Sequence, residues 1–461
     1  MATQENDTGG LESGPADQGD SDAGRAETGG RPDRAFQRFS WYAVYAVLVL
    51  LPATLAAALR DSWSSHALVE IGRFCALTGF SLLALQVALT ARLKWLDRPF
   101  GIDRVTGFHR NMAVVAGLLL AAHPILLAAG RETFMLFQPW ANWRLGIGQL
   151  AWVFLFGVVG AALARKDLFI DYQVWRVLHK GAIGLVVLGF VHGLAMPSDT
   201  QHTTLRVYFW ALLALAGGLF LWRNLYAPFF GRRKYRVADV SPETHDTFTL
   251  RMEPVGHEGF RWDPGQFMFL KLRRPGRRSE EHPFTIAASP TEKTLKATVK
   301  QSGDFTNTID RTQPDDTALV EAPFGRFSLV HEDAPRFLFL AGGVGITPIV
   351  SMLRFMRDTG DDRPALLIYC NNEKRDIIFR DELDALPDNI TVVHVLAKPD
   401  EHWTGPSGWL TEEKIGEHAG AFLEDAHVYL CGPPPMMRKV LRYLRSLGVD
   451  SGRIHYERFS L

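Results

Sequence analysis

At 461 residues the chain is long enough for two or three domains, and its 50 Lys+Arg balance 50 Asp+Glu. That balance, with no basic stripe interleaved with aromatics, argues against a nucleic-acid partner. The three cysteines, Cys75, Cys370 and Cys431, form no CxxC pair, which excludes a zinc site or a disulfide framework.

The balance conceals a division. Residues 41–226 are mostly apolar, whereas 232–461 have the mixed composition of a soluble, cytosolic protein. There is no internal repeat. Residues 1–33 are polar, acidic and Gly-rich with no apolar core, so they read as a disordered tail and not as a signal peptide.

Six apolar segments follow, at about 41–59, 67–91, 107–129, 145–163, 174–196 and 205–226, each near the ~20 residues that cross a bilayer. They define a membrane domain over 34–230. Pro52 is tolerable in the first, because neighbouring helices re-satisfy the freed carbonyl. The loops after spans two, four and six carry Arg92, Lys94, Arg98 and Arg104, then Arg165 and Lys166, then Arg223, Arg232, Arg233 and Lys234. The opposite loops carry Arg60, then Arg131 and Arg144, then Arg206. The positive-inside rule therefore predicts a multi-pass protein of the cell inner membrane, with both termini and the soluble half cytoplasmic. Trp41, Trp63, Trp140, Trp143 and Trp222 fall near span ends, as an aromatic belt requires.

His109 and His123 lie 14 residues apart on span three, and His179 and His192 lie 13 apart on span five. A membrane histidine is costly and implies function. One alone reads equally as a proton relay, an interhelical hydrogen bond or a ligand. Spans three and five run in the same direction, so the four form two depth-matched pairs, His109/His179 and His123/His192. Two stacked metal or haem sites follow, each iron held by two imidazoles with no open position. His66 and His202 have no depth-matched partners and read as interfacial polar residues. At ~100° per residue, His123 returns within ~40° of His109, but His192 falls ~140° from His179. Span five must be distorted, and Gly181, Gly184, Gly189 and Gly193 supply the means.

Residues 231–331 read as short strands, among them 247–254, 265–272 and 295–302, in a small antiparallel barrel. The run at 273–281 reads as a solvated loop. Within this domain lies His282-Pro283-Phe284-Thr285, and downstream come Gly303-Asp304-Phe305-Thr306 and Pro323-Phe324-Gly325. These resemble the flavin-binding stretches of the ferredoxin–NADP reductase superfamily, in the form found in membrane ferric reductases and NADPH oxidases. By that resemblance Thr285 approaches the flavin N5 edge and Phe284 flanks the ring. His282 stands where many soluble relatives use arginine for the pyrophosphate. Gly303 and Thr306 contact phosphate, with Lys300 adding charge.

Residues 332–461 alternate apolar strands with helical patterns and read as a parallel α/β nucleotide-binding domain. The stretch at 337–356 is a strand, a Gly-rich turn and an amphipathic helix, the context a phosphate-binding turn needs. Gly342, Gly343, Val344, Gly345, Thr347 and Pro348 resemble the GGxGxTP turn of the same superfamily. Cys431, Gly432, Pro433, Pro434, Pro435 and Met436 resemble its nicotinamide-side loop, where the thiol lies beside the ring. Lys374 or Arg375 would pair with a 2′-phosphate and favour NADPH; a solvated loop is the equal alternative. Phe459 is the candidate for an aromatic residue stacked on the flavin, although two residues follow it here.

The predicted fold class is a membrane α bundle of six haem-binding helices, a β-barrel FAD domain and an α/β nucleotide domain. The resemblance implies a transmembrane flavocytochrome b that uses NAD(P)H, FAD and two b haems. Thr285 and Cys431 would be catalytic, and the acceptor oxygen or a ferric chelate. Electron supply to a quinone or an unidentified partner protein stays open. So do a proton-relay transporter with a regulatory flavodomain and a redox-sensing module of negligible turnover.

Overall fold

The structure, a computed structural model, describes residues 34–60, 62–132, 138, 142–164, 167, 172–196, 199–277 and 279–458. The expected tail (1–33), Trp140 and Phe459 lie outside the described residues.

Six candidate membrane spans are present: Phe36–Leu59, Ala67–Thr90, Ile102–Gly130, Trp143–Leu163, Val174–Ala195 and Thr203–Phe230. Within them α1 is Arg34–Leu59, α2 Ala67–Thr90, α4 Ile102–Gly130 and α5 Trp143–Leu163. A short helix, α3 (Lys94–Phe100), separates α2 from α4. Span five is two helices, α6 (Tyr172–Lys180) and α7 (Ile183–Ala195). Span six is α8 (Thr203–Leu221), a π turn over Trp222–Tyr226, and α9 (Ala227–Phe230). Central α2 is the most buried span. It approaches α4 closely because Gly79 and Gly130 carry no side chain. A Cβ on Gly79 would lie 2.9 Å from Leu120 Cγ, and one on Gly130 3.0 Å from the Val69 nitrogen. Phe80 of α2 stacks on Phe209 of α8 with centroids 4.9 Å apart.

Only Gly231 and Arg232 separate α9 from β1 (Arg233–Thr244). The strands β2 (Thr247–Pro254), β3 (Phe267–Arg273), β4 (Glu281–Thr285), β5 (Leu295–Lys300) and β6 (Thr317–Phe324) complete an antiparallel sheet of order β4-β3-β6-β1-β2-β5. The sheet curls until its edge strands β4 and β5 touch. Its core includes Tyr235, Leu250, Met252, Met268 and Leu270. Pro283 is accommodated because β4 is an edge strand, where a missing N–H costs no ladder bond.

The third unit is a parallel sheet of order β11-β10-β7-β8-β9. Its strands are β7 (Phe337–Gly342), β8 (Ala365–Asn371), β9 (Ile390–Leu396), β10 (His427–Cys431) and β11 (Ile454–Glu457). The helices are α10 (Ile346–Thr359), α11 (Arg380–Asp384), α12 (Glu412–Ala419) and α13 (Pro434–Ser446). Gly360, left-handed at φ +66°, stops α10. The chain order reverses between adjacent β7 and β10. Doubly wound sheets bind ligands at such a switch point, beyond the carboxyl ends of the strands.

Two groups of contacts bind the barrel to the membrane bundle. In the first, Glu281 of β4 and Glu321 of β6 meet Arg92, which follows α2, and Arg223 near the end of span six. Arg92 lies 2.8 Å from Glu281 and 3.5 Å from Glu321; Arg223 lies 3.4 Å and 3.3 Å from the same carboxylates. Arg232 also pairs with Glu281. Arg92 further lies over the Phe269 ring, 3.3 Å from its centroid. In the second, Lys94 donates to the Ala322 carbonyl (3.0 Å) and Arg326 to the Pro99 carbonyl (2.6 Å). The Gly325 N–H donates to Asp97 Oδ2 (3.4 Å).

Most of the described residues of 273–281 are exposed, as a solvated loop should be, but Arg274 and Glu281 depart from that reading. Arg274 is buried, donating to the Thr308 carbonyl (2.5 Å) and covering Phe305, while Glu281 opens β4 inside the charge cluster. Both have long-range partners, and long-range pairing leaves no mark on local composition.

Candidate functional site

The switch-point crevice is made by the two glycine-bearing motifs pressed together. Gly342 ends β7 and Cys431 ends β10, with Ala341 and Cys431 in register. A Cβ on Gly342 would lie 2.5 Å from Met436 Sδ and 2.9 Å from Pro433 Cδ. One on Gly345 would lie 2.4 Å from the Cys431 carbonyl oxygen. Gly432 packs against the Gly342 backbone from the other side. Gly343, at φ +51°, has nothing within 4 Å of where a Cβ would stand, so a phosphate can approach it, while its carbonyl accepts from the Tyr369 hydroxyl (3.0 Å). Val344 is half-buried, and Thr347 is buried with its hydroxyl donating to the Val344 carbonyl (3.0 Å), so it braces the turn from within. Cys431 is fully buried, and burial holds its thiol well above the ordinary range.

The turn after β8 divides its charges. Arg375 pairs with Glu373 (2.9 Å), and the Asp376 carboxylate accepts from the Glu373 N–H (3.0 Å). Lys374 lies in the same turn.

Between the barrel, the edge strand β11 and the membrane bundle lies a cavity of about 390 Å3. Pro283, Phe284 and Thr285 line it from β4, Glu457 from β11, and Phe100, Asp103 and Arg104 from the bundle. The Thr285 hydroxyl is buried and has no hydrogen-bond partner among the described residues. A buried orphan hydroxyl on a cavity wall fits a flavin edge as its partner. Glu457 is held protonated to about pH 8, first by burial and then by Asp103 and Asp97 across the cleft. It lies in register with Cys431. Sequence reasoning missed Glu457, and the acidic end of the β-rich tetrapeptide Ile454–Glu457 was the signal available.

His282 stacks on Phe305 (4.3 Å between centroids) and its Nε2 lies 3.1 Å from Glu280. Thr306 accepts from the Ser302 N–H (3.0 Å) and donates to the Gly303 carbonyl (3.3 Å), closing the expected turn. Lys300 is ion-paired with Asp246 (2.9 Å).

The four membrane histidines form two facing pairs. His109 and His179 have ring centroids 6.2 Å apart and planes at 88°. Two imidazoles on opposite sides of one iron, with bonds of ~2 Å, require about that separation. Both Nδ1 atoms are buried without hydrogen-bond partners among the described residues. Trp175 stacks on His179, one turn along α6 (4.9 Å). His123 and His192 line one cavity of about 220 Å3 with Arg73, Arg131, Gly148 and Phe80. His123 Nδ1 lies 2.9 Å from the Gly72 carbonyl, and His192 Nδ1 lies 3.0 Å from the Arg144 carbonyl. A carbonyl only accepts, so each Nδ1 carries the proton and each Nε2 keeps its lone pair for a ligand. Both pairs therefore have the donor set a b-type haem needs.

The distortion of span five has a specific form. The amides of Gly181, Ala182, Gly184 and Leu185 donate to carbonyls three residues back, at 2.8–3.0 Å. A Cβ on Gly181 would lie 2.9 Å from the Leu178 carbonyl. Four residues wound at ~120° instead of ~100° reduce the expected offset from ~140° to ~60°, close to the ~40° of span three.

The fold and these sites together define a multi-pass membrane protein with flavin- and nucleotide-binding domains. Comparison with known families gives the same division. Residues 75–190 match the ferric reductase like transmembrane component, 232–324 an FAD-binding domain and 339–442 the oxidoreductase NAD-binding domain. The chain thus joins a ferric reductase transmembrane domain to a ferredoxin–NADP reductase-type dehydrogenase domain.

Among similar proteins, the reductase subunit of stachydrine N-demethylase from Rhizobium meliloti is 33% identical over 229 residues, covering 48% of this chain and 64% of the relative. The reductase component of propane 2-monooxygenase from Mycolicibacterium goodii is 31% identical over 236 residues, covering 49% and 66%. The chain thus spans just under two thirds of the length of each. Among solved structures, the FAD/NAD-binding domain of a Vibrio cholerae nitric oxide dioxygenase covers 49% of this chain and 98% of its own, at 21% identity and a TM-score of 0.45.

Proposed function

We propose that the chain is a flavocytochrome b that moves electrons from NAD(P)H on the cytoplasmic side of the cell inner membrane to an acceptor on the far side, oxygen or a ferric chelate. The observation that carries this reading is the pair of facing histidine sets, one near the barrel and one distal, each with the donors for a bis-imidazole haem. Bound FAD would supply the conversion of a hydride from NAD(P)H into single electrons, and haems held by the two histidine pairs would supply one-electron carriers across the bilayer.

The protein's part is placement. Gly343 and the amides at the start of α10 receive the dinucleotide phosphates. Cys431 and Gly432 form the buried floor on which the nicotinamide rests, with water excluded. Thr285 donates to the flavin edge, Phe284 flanks the ring, and Gly303 and Thr306 approach the phosphates. His282 serves the flavin through its ring against Phe305. Glu457 holds a proton beside this site below about pH 8. His109 and His179 hold the haem nearer the flavin, and His123 and His192 the distal one. The proposed divisions are 34–230 for the bundle, 231–331 for the flavin domain and 332–461 for the nucleotide domain. The loop charges support the orientation. A partner protein as acceptor is a second reading, favoured by the relatives' being reductase components.

The test uses the purified full chain in detergent. It should hold two low-spin b haems and one flavin per polypeptide, and oxidise NADH or NADPH with superoxide formation or ferric-chelate reduction. Replacing any one of the four histidines by alanine should remove one haem. A chain without haem, or one whose haem spectrum survives any of the four substitutions, would sink the proposal.

A further inference from the structure

The overwound turn at 181–185 brings span five nearly into phase, but phase places only the start of a side chain. What aims the imidazole is the surface it rests on. For His192 that surface is α5. The ring donates to the Arg144 carbonyl, and one helical turn further on it lies flat against Gly148. A Cβ at 148 would stand 2.6 Å from His192 Cε1, 2.8 Å from Nδ1 and 3.1 Å from Nε2. Ordinary carbon contacts need ~3.5 Å or more, so an added methyl would push the ring by about 1 Å. That displacement breaks the bond to Arg144 and moves Nε2 by a large part of a metal–nitrogen bond length. Elsewhere on α5 there is room. A Cβ on Gly146, Gly157 or Gly160 meets nothing within 4 Å. The opposite member, His123, donates to the Gly72 carbonyl of α2, but a Cβ on Gly72 would meet the α4 backbone and Leu126 and Leu127, not the imidazole. His179 Nδ1 has no such partner among the described residues.

We infer that Gly148 is a positioning residue. With the Arg144 carbonyl it forms a seat on span four that fixes the direction of His192 and so decides whether the distal site is completed. This rests on the haem reading above.

The experiment compares wild type with Gly148→Ala, Gly146→Ala, His192→Ala and the double variant Gly148→Ala/His192→Ala in purified full-length protein. The readouts are haem per polypeptide, the low-spin ferric electron paramagnetic resonance signals and flavin content. Wild type and Gly146→Ala should hold two haems. Gly148→Ala should lose the distal haem or convert it to a high-spin species, with the other haem and the flavin retained. The double variant should lose no more than His192→Ala alone. Two unaltered low-spin haems in Gly148→Ala would overturn the inference. So would loss of both haems and the flavin in that variant alone, because the glycine would then serve the packing of the whole bundle. Wild type without haem would refute the haem reading itself, a distinguishable result.

Discussion

Replacing Glu281 with glutamine should release the dehydrogenase from the membrane bundle. Glu281 is 7% exposed and gathers Arg92, Arg223 and Arg232. Burial alone would raise its carboxyl, yet the three guanidiniums hold it down to about 2 against an ordinary 4.5. Such a difference corresponds to about 3 kcal/mol. Removing one partner of a buried ion pair carries a comparable cost of about 3–5 kcal/mol, because the charges left behind stay desolvated. An effect near 3 kcal/mol is roughly a hundredfold in the docking equilibrium. Trypsin cleavage at Arg232, Arg233 and Lys234 reports it, since cleavage tracks the population of the open form when opening and reclosing are fast. Glu281→Gln should be cut about a hundred times faster than wild type. Glu253→Gln, which loses solvent-accessible pairs with Arg236 and Arg251, should change by no more than ~1 kcal/mol. The carboxyl's value is lowered on folding, so wild type keeps the contribution above the ordinary carboxylate range and loses it as pH falls towards 2. Glu281→Gln should lack that dependence. Cleavage of the variant at the wild-type rate would refute the idea that this cluster holds the two parts together.

Other substitutions separate chemistry from folding. Thr285→Val removes a hydroxyl with no partner among the described residues, so the melting temperature should hold while flavin reduction by NAD(P)H slows about tenfold, read by stopped-flow. Glu457 keeps its proton to about pH 8, so stability should fall as pH rises from 4.5 to 8, the unfolded chain ionising first; Glu457→Gln should flatten that slope in thermal melts. Gly345→Ala drives a methyl into the Cys431 carbonyl and should raise the NAD(P)H Kd at least about tenfold, by titration. Gly343→Ala, strained only by its positive φ, should cost about 1 kcal/mol of stability.

What the sequence made legible was whatever has a local cause. Apolar length marked the six spans, and the expense of imidazole in lipid singled out His109, His123, His179 and His192. The 13-residue gap required a distortion, and the glycines marked where it falls. Gly342 to Gly345 and Cys431 to Met436 could be read as turns, but not as two turns packed backbone to backbone. The charge cluster around Glu281 was invisible because its members come from α2's end, span six, β4 and β6. The burial of Arg274 within an otherwise exposed loop was hidden for the same reason. β11 escaped notice because four residues are too few for a period, and Glu457 with it. The seat under His192 was hidden because a glycine in a membrane helix has no pattern of its own.

The cavity beside Thr285 is walled by residues from Arg38 to Arg458. During synthesis the helices and the barrel emerge first, while one wall is still unmade. Insertion of the bundle, docking of the barrel and addition of β11 to its sheet must all be complete before a flavin can be enclosed. With the flavin seated there as proposed, its retention is a single readout of assembly for the whole polypeptide, sensitive to defects far from the ring.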